Sequence, residues 1–157
     1  MDREITQATA QASLPQQADK LLPHKPPMLL AETLVERQGS RAVALATLPT
    51  AGLFVIAGGI LPEYFIELIA QTAALGNCYD AIKSDMAPRD GMLVGIDSFS
   101  WPGRPQPGTP VHIDTDVAFV FGAMKVVHGE VYAGRELLAV GDIKVWENLG
   151  RGAKTKS

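Results

Sequence analysis

Glu63, Glu67 and Gln71 recur at four-residue spacing within LPEYFIELIAQTAAL, Leu61 to Leu75, which places all three on one side of a helix. The positions around them, Phe65, Ile66, Leu68, Ile69, Ala70, Ala73, Ala74 and Leu75, are apolar around the axis, the composition of a core helix that water barely reaches. Glu63 falls in the first turn, just after Pro62, where hydration and the helix dipole both favour a carboxylate. Glu67 lies one turn deeper, with no Lys or Arg within helical reach. A carboxylate there must accept hydrogen bonds, share a proton, titrate upward or face a cleft. Two readings follow. One is a buried Glu satisfied by backbone donors or a subunit contact; the other is a proton-transfer group lining a pocket.

Other reactive groups are few. Of the three histidines, His112 and His128 alternate with Asp114 and Glu130, the pattern of a solvated strand face. His24 stands in a proline-rich stretch. No His, Cys and Asp set has metal-ligand spacing, so no metal is expected. Gly58-Gly59 lacks the following Lys and Ser/Thr of a phosphate loop. The single cysteine, Cys78, excludes a disulfide framework and suits a reducing cytoplasm, as a small core residue.

With 157 residues, 46% apolar and 20% charged, the chain is expected to form one soluble domain with a core of its own. A net charge of −3 with no basic patch argues against nucleic acid or an anionic membrane as partner. The first fifteen residues are too polar for a signal peptide, and no apolar run reaches membrane-spanning length. A cytoplasmic protein with no membrane insertion is the expectation.

Along the chain, residues 1–16 read as a flexible arm, 17–148 as the single domain and 149–157 as a disordered tail. Asp19 to Leu22 suggests one helical turn ending at Pro23, and His24-Lys25-Pro26-Pro27 must run extended. Strands are expected at Met28–Glu36 and Arg41–Leu48, joined at Gln38-Gly39-Ser40. The second strand has a small face, Ala42, Ala44 and Ala46, fit to receive a helix. Thr50–Ile60 reads as an irregular loop, and Lys83–Asp90 as a polar connection after the helix. Four further strands are expected at Met92–Phe99, Pro110–Phe121, Lys125–Tyr132 and Glu136–Glu147, with a stiff loop over Trp101–Gly108. The class is α+β: an antiparallel six-stranded sheet wrapped around one long helix. One sheet cannot cover a helix that is apolar all round, so a dimer is expected.

Three blocks resemble the 3-hydroxyacyl-[acyl-carrier-protein] dehydratases. LLPHKPPMLL, Leu21 to Leu30, is similar to that family's opening L-L-P-H-R/K-x-P-x-L-L. Gly95-Ile96-Asp97 with Pro107-Gly108 resembles its G-I-D…P-G loop, and Pro62 through Glu67 to Ala70-Gln71 matches the start of its helix, P-x(4)-E-x-x-A-Q. The resemblance spans about the middle three-fifths of the chain. It implies the hotdog fold and a hydro-lyase acting on a 3-hydroxyacyl thioester in fatty-acid or polyketide synthesis. It also implies a substrate carried on the phosphopantetheine of acyl carrier protein or coenzyme A, with no cofactor of the protein's own.

Two departures qualify this. Counted back from Glu67, Leu53 occupies the place of the family's catalytic His, and Glu63 that of a glycine whose N–H polarises the thioester carbonyl. The combination looks most like the dehydratase-like hotdog proteins of aryl-polyene and related polyketide clusters. The expected site is therefore Glu67 as acid, with Leu53, Glu63, Gln71 and His24 around the substrate. The dimer is either a homodimer, or a heterodimer in which this chain is a non-catalytic partner of an active dehydratase. An acyl thioesterase on the same fold is a further alternative. Arg89 and Arg104 are among the cations that could meet an acidic carrier protein.

Overall fold

A computed structural model of the chain describes residues 13–148; the expected arm, up to residue 12, and the tail from 149 lie outside the described residues. The elements are β1 (Gln16–Gln17), α1 (Ala18–Leu21), β2 (Thr33–Gln38), β3 (Arg41–Thr47), β4 (Val55–Ile56), β5 (Gly59–Ile60), α2 (Glu63–Lys83), β6 (Gly91–Ser100), β7 (Pro110–Phe121), β8 (Met124–Ala133) and β9 (Glu136–Glu147). Seven strands form one antiparallel sheet in the order β1-β2-β3-β7-β8-β9-β6, with β4-β5 as a separate ribbon. The sheet carries α2 on one face, the arrangement that the resemblance implies.

The side-chain period of two decides which face that is. Val111, Ile113 and Thr115 of β7 and Val127 and Val131 of β8 are buried, while His112, Asp114, His128 and Glu130 alternate with them toward the other face. On β3 the small face turns inward: Ala42, Ala44 and Ala46 are buried and α2 packs on that strand and on β7. Alanines let the helix come close, and Gly129 on β8 lets it come closer still, since a methyl there would sit 2.4 Å from Ile69 Cγ2. Phe65, Leu68, Ile69 and Leu75 fill the space between α2 and the sheet, each almost fully buried. The β7–β8 and β8–β9 turns use Gly122 and Gly134 at φ 60° and 58°, a region glycine enters without a Cβ penalty.

Several boundaries move. The sheet has one strand more than expected, because β1 is a two-residue strand paired to β2 at Gln16↔Leu34 and Gln17↔Thr33, too short to show a period. The end of α2 does not move: it runs to Lys83, where the polar connection is expected, with Gly76 inside it facing Arg37 and Ala42 of the hairpin. The strand expected from Met28 begins only at Thr33. Residues 28–31 turn aside, and three of them spend their backbone groups on a side chain of α2. The loop over 50–60 contains the β4–β5 ribbon.

Since Ile69 is fully buried and β-branched, it cannot swing away from a side chain at Gly129. Gly129→Ala is therefore expected to lower unfolding free energy by about 1–3 kcal/mol, as overpacking does. Combining it with Ile69→Val should restore part of that loss, a coupling that denaturant titration of the single and double variants measures.

Candidate active site

Gln71, one turn beyond Glu67 on α2, is 1% exposed and makes four hydrogen bonds. Its Oε1 accepts from the N–H groups of Leu30 at 2.9 Å and Ala31 at 3.1 Å, and its Nε2 donates to the Met28 carbonyl at 2.7 Å. The remaining Nε2–H goes to Glu67 Oε1 at 2.9 Å. An amide has two acceptor and two donor sites, so this one is saturated. It straps the 23–31 loop, itself turned by Met28 N–H and Leu29 N–H donating to the Lys25 carbonyl, onto the helix. That strap brings His24 to Glu67, with Nε2 3.7 Å from Oε1.

Glu67 is less enclosed than the sequence suggests. Its side chain is 28% exposed, because the sheet covers only one side of α2; Ile66, Ala70, Ala73, Ala74 and Asn77 on the same strip are likewise partly open. The carboxylate is thus neither sealed nor freely hydrated: Oε1 is engaged by Gln71 and faced by His24, while Oε2 has no hydrogen bond among the described residues. Of the other expected site residues, Glu63 is exposed at the start of α2. The Tyr64 and Phe65 N–H groups there donate to the Leu61 and Pro62 carbonyls. Leu53 is 64% exposed, on the turn before β4, and as a hydrocarbon adds no proton-transfer group. Gln71, Glu67 and His24 are brought together; Leu53 and Glu63 take no part in their hydrogen bonding.

The remaining histidines face the other way. His112 stacks on Tyr132, ring centroids 5.1 Å apart. His128 is more constrained than a solvated residue. Its Nδ1 meets Asp142 Oδ1 at 2.8 Å and its Nε2 meets Glu130 Oε1 at 3.2 Å, while Tyr132 Oη donates to Glu130 Oε2 at 2.6 Å. The bond to Asp142, then that to Glu130, holds the imidazole above its ordinary pKa, and the Tyr132 hydroxyl, followed by His128, pulls Glu130 below its own. Sequence spacing shows Glu130 two residues along the same strand, but Asp142 joins only through the β8–β9 register, His128↔Asp142.

Cys78 is buried, and desolvation raises its thiol pKa, which suits a core residue. No cluster of His, Cys, Asp or Glu among the described residues is arranged to hold a metal, and no helix among them is long and apolar enough to cross a membrane. A cavity of about 230 Å³ lies near the far end of α2, between Asn77, Asp80, Ser84, Arg89, Lys125 and Glu147. Asn77 is ten residues from Glu67, roughly 15 Å along the helix, so this cavity is not the surroundings of the carboxylate. Its buried Glu147 is already satisfied by Asn77 Nδ2 at 2.8 Å and Lys125 Nζ at 2.7 Å. Arg104 lies elsewhere, its backbone N–H donating to Glu136 Oε1.

Two outcomes are expected. Gln71→Ala leaves one buried and one part-buried backbone N–H, a carbonyl and a carboxylate short of partners, and should cost on the order of 3 kcal/mol of stability in denaturant titration. For His128, whose folded pKa lies above the unfolded one near 6.5, the stabilisation is complete below that value and is lost as pH rises through the raised folded pKa. The side chain is 42% exposed, so screening keeps the effect small. Unfolding curves from pH 6 upward should fall gently for the wild type and not for His128→Asn.

The chain matches the family model described as "ApeP-like: ApeP dehydratase" over residues 16–153. It is 26% identical over 137 residues to the 3-hydroxyacyl-[acyl-carrier-protein] dehydratase FabZ of Anoxybacillus flavithermus, covering 78% of this chain and 93% of that one. The FabZ of a Geobacillus species is 26% identical over 144 residues, covering 82% and 96%. Among solved structures, the dehydratase heterocomplex ApeI:P of Xenorhabdus doucetiae is similar with a TM-score of 0.74 at 22% identity, covering 87% of this chain and 92% of that one. A hypothetical thioesterase of Streptococcus pneumoniae solved with coenzyme A gives 0.59 at 9% identity, covering 73% and 84%. These structural likenesses show the hotdog fold, and the match of the family model over most of the chain makes this protein a member of the ApeP-like dehydratase family.

Proposed function

We propose that this chain is one subunit of a two-chain hotdog dehydratase acting on 3-hydroxyacyl thioesters, in which it supplies Glu67 as the acid and its pairing chain supplies the base. The observation that carries the reading is the edge strand β6. Among the described residues it ends the sheet over ten residues, and Met92, Leu93, Val94 and Ile96 on it are all exposed. Two bulges, between Leu93 and Gly95 and between Ile96 and Ser98, twist the strand without covering it. The opposite edge is the two-residue β1, the short kind of edge that resists pairing. A long apolar edge left open invites another strand. A second hotdog chain adding there also agrees with the partly open strip of α2, and the likeness to a heterocomplex in which two such chains are paired supports a related dehydratase as the occupant.

The chemistry fits a shared site. A base removes the C2 proton, the C2–H electron pair becomes the C2=C3 double bond, the C3–O bond breaks, and the hydroxyl takes the Glu67 proton to leave as water. The thioester acidifies C2, and a donor such as the Glu63 N–H at the head of α2 would steady its oxygen. The acyl group would arrive on the phosphopantetheine of acyl carrier protein or coenzyme A, within cytoplasmic fatty-acid, polyketide or aryl-polyene assembly, and no resident cofactor enters the step.

The test is co-expression with a hotdog dehydratase that retains the family histidine. Co-purification and dehydration of a 3-hydroxyacyl thioester are expected, with Glu67→Gln lowering the rate of the pair ~10²–10⁴-fold. Ile96→Lys should separate the two chains on gel filtration while each stays folded. A full rate with Glu67→Gln would remove the acid role; pairing undisturbed by a lysine on β6 would remove the interface. Release of free thiol from an acyl thioester would point instead to a thioesterase.

A further inference from the structure

We propose that His24 is a positioning residue for Glu67, held as the Nε2–H tautomer, and that Glu67 therefore works through Oε2. The inference rests on the dehydratase reading above but is carried by geometry of its own. Of the chain's three histidines, two belong to the sheet face that looks away from α2, one stacked on Tyr132 and the other tied to Asp142 and Glu130. His24 alone faces Glu67, and it is the natural substitute for the imidazole that Leu53 replaces.

The ring's other nitrogen argues against that substitution. His24 Nδ1 is buried and has no hydrogen-bond partner among the described residues, although the side chain as a whole is 33% exposed. A neutral imidazole carries its proton on one nitrogen and a lone pair on the other. Placing the proton on Nδ1 would bury a donor with no acceptor and turn a lone pair toward a carboxylate. Placing it on Nε2 leaves only a lone pair buried and aims the N–H at Glu67 Oε1. A base acting at Nε2 needs the first arrangement, so His24 is poorly made for the task. At 3.7 Å the Nε2 to Oε1 contact lies just outside hydrogen-bond length, as such contacts often do before substrate binds.

Two donors, Gln71 Nε2–H and His24 Nε2–H, thus converge on one oxygen of Glu67. A proton on Oε1 would compete with both. The acid proton accordingly sits on Oε2, the oxygen with no hydrogen bond among the described residues, and that oxygen meets the leaving hydroxyl. The loop that carries His24 is fastened to α2 by the same Gln71 that holds Oε1, so one amide sets both members of the contact.

The experiment has an arm that does not depend on turnover. Long-range ¹H–¹⁵N correlation spectra of the labelled chain should show neutral His24 protonated at Nε2 and bare at Nδ1; the reverse overturns the proposal even if no reaction is found. In the co-purified pair, assayed with a 3-hydroxyacyl thioester, His24→Gln keeps a donor where Nε2 stands and should retain most of kcat with an unchanged pH profile. His24→Leu removes it and should lower kcat about 10²-fold, the scale for a misplaced catalytic group, with little change in KM. If His24 were the base, His24→Gln would lose ~10²–10⁴-fold and one limb of the pH profile with it. Equal, full activity in both variants would leave the residue no role. A wild-type pair with no dehydration at all defeats the dehydratase reading, and the tautomer is then judged by the spectra.

Discussion

One saturated side-chain amide holds the candidate site together. Gln71 is nearly inaccessible to solvent, and its two donors and two acceptor positions are each matched to a fixed partner on the 28–31 segment or on Glu67. Inside a protein an amide in this position must be fully satisfied or it costs more than an apolar residue would. A carboxylate could not donate to the Met28 carbonyl, and a lysine could not accept from Leu30 and Ala31. The match is to glutamine's chemistry as well as its length, and it turns the opening loop into part of the helix surface.

The height of that amide above the sheet is set by packing. The inward alanines of β3, with Gly129 on β8, bring α2 close to the sheet, and Phe65, Leu68, Ile69 and Leu75 lock its rotation. Rotation matters because the stripe of Glu63, Glu67 and Gln71 winds slowly around a 3.6-residue helix. Gln71 falls where the 23–31 loop crosses, Glu67 at the border of the open strip, and Glu63 in water. The same packing leaves one side of α2 partly open and, among the described residues, the outer edge of β6 unpaired, two consequences of wrapping a single sheet around a helix that needs more. The incompleteness is structural: an open apolar edge and a partly open helix strip lie on one protomer, and both are what the proposed pairing would cover.

The three histidines show how facing outweighs residue type. His128 is a cross-strand tie between two carboxylates, His112 a stacking partner for Tyr132, and His24 a neighbour of the one carboxylate on α2 that is hydrogen-bonded from its own helix. Only the last stands beside Glu67, and its Nδ1 is buried.

Much of this was legible in the sequence. The alternation along β7 and β8, the small face of β3 and the helical spacing of Glu63, Glu67 and Gln71 follow from side-chain periods of two and 3.6, which are local properties. The resemblance of the three sequence blocks pointed to the fold and family that the comparisons bear out. Other features needed the tertiary structure, because they depend on which backbone meets which side chain across many residues. Residues 28–31 look like a strand by composition and are not one, because Gln71, some forty positions away, takes their backbone groups. Glu67 looks enclosed because apolar residues surround the helix axis, yet the sheet covers only one side of α2 and leaves that side chain 28% exposed. Asp142 reaches His128 only through register, which a one-residue slip would undo. Periodicity tells each residue which way to face; only the assembled sheet and helix decide what it faces.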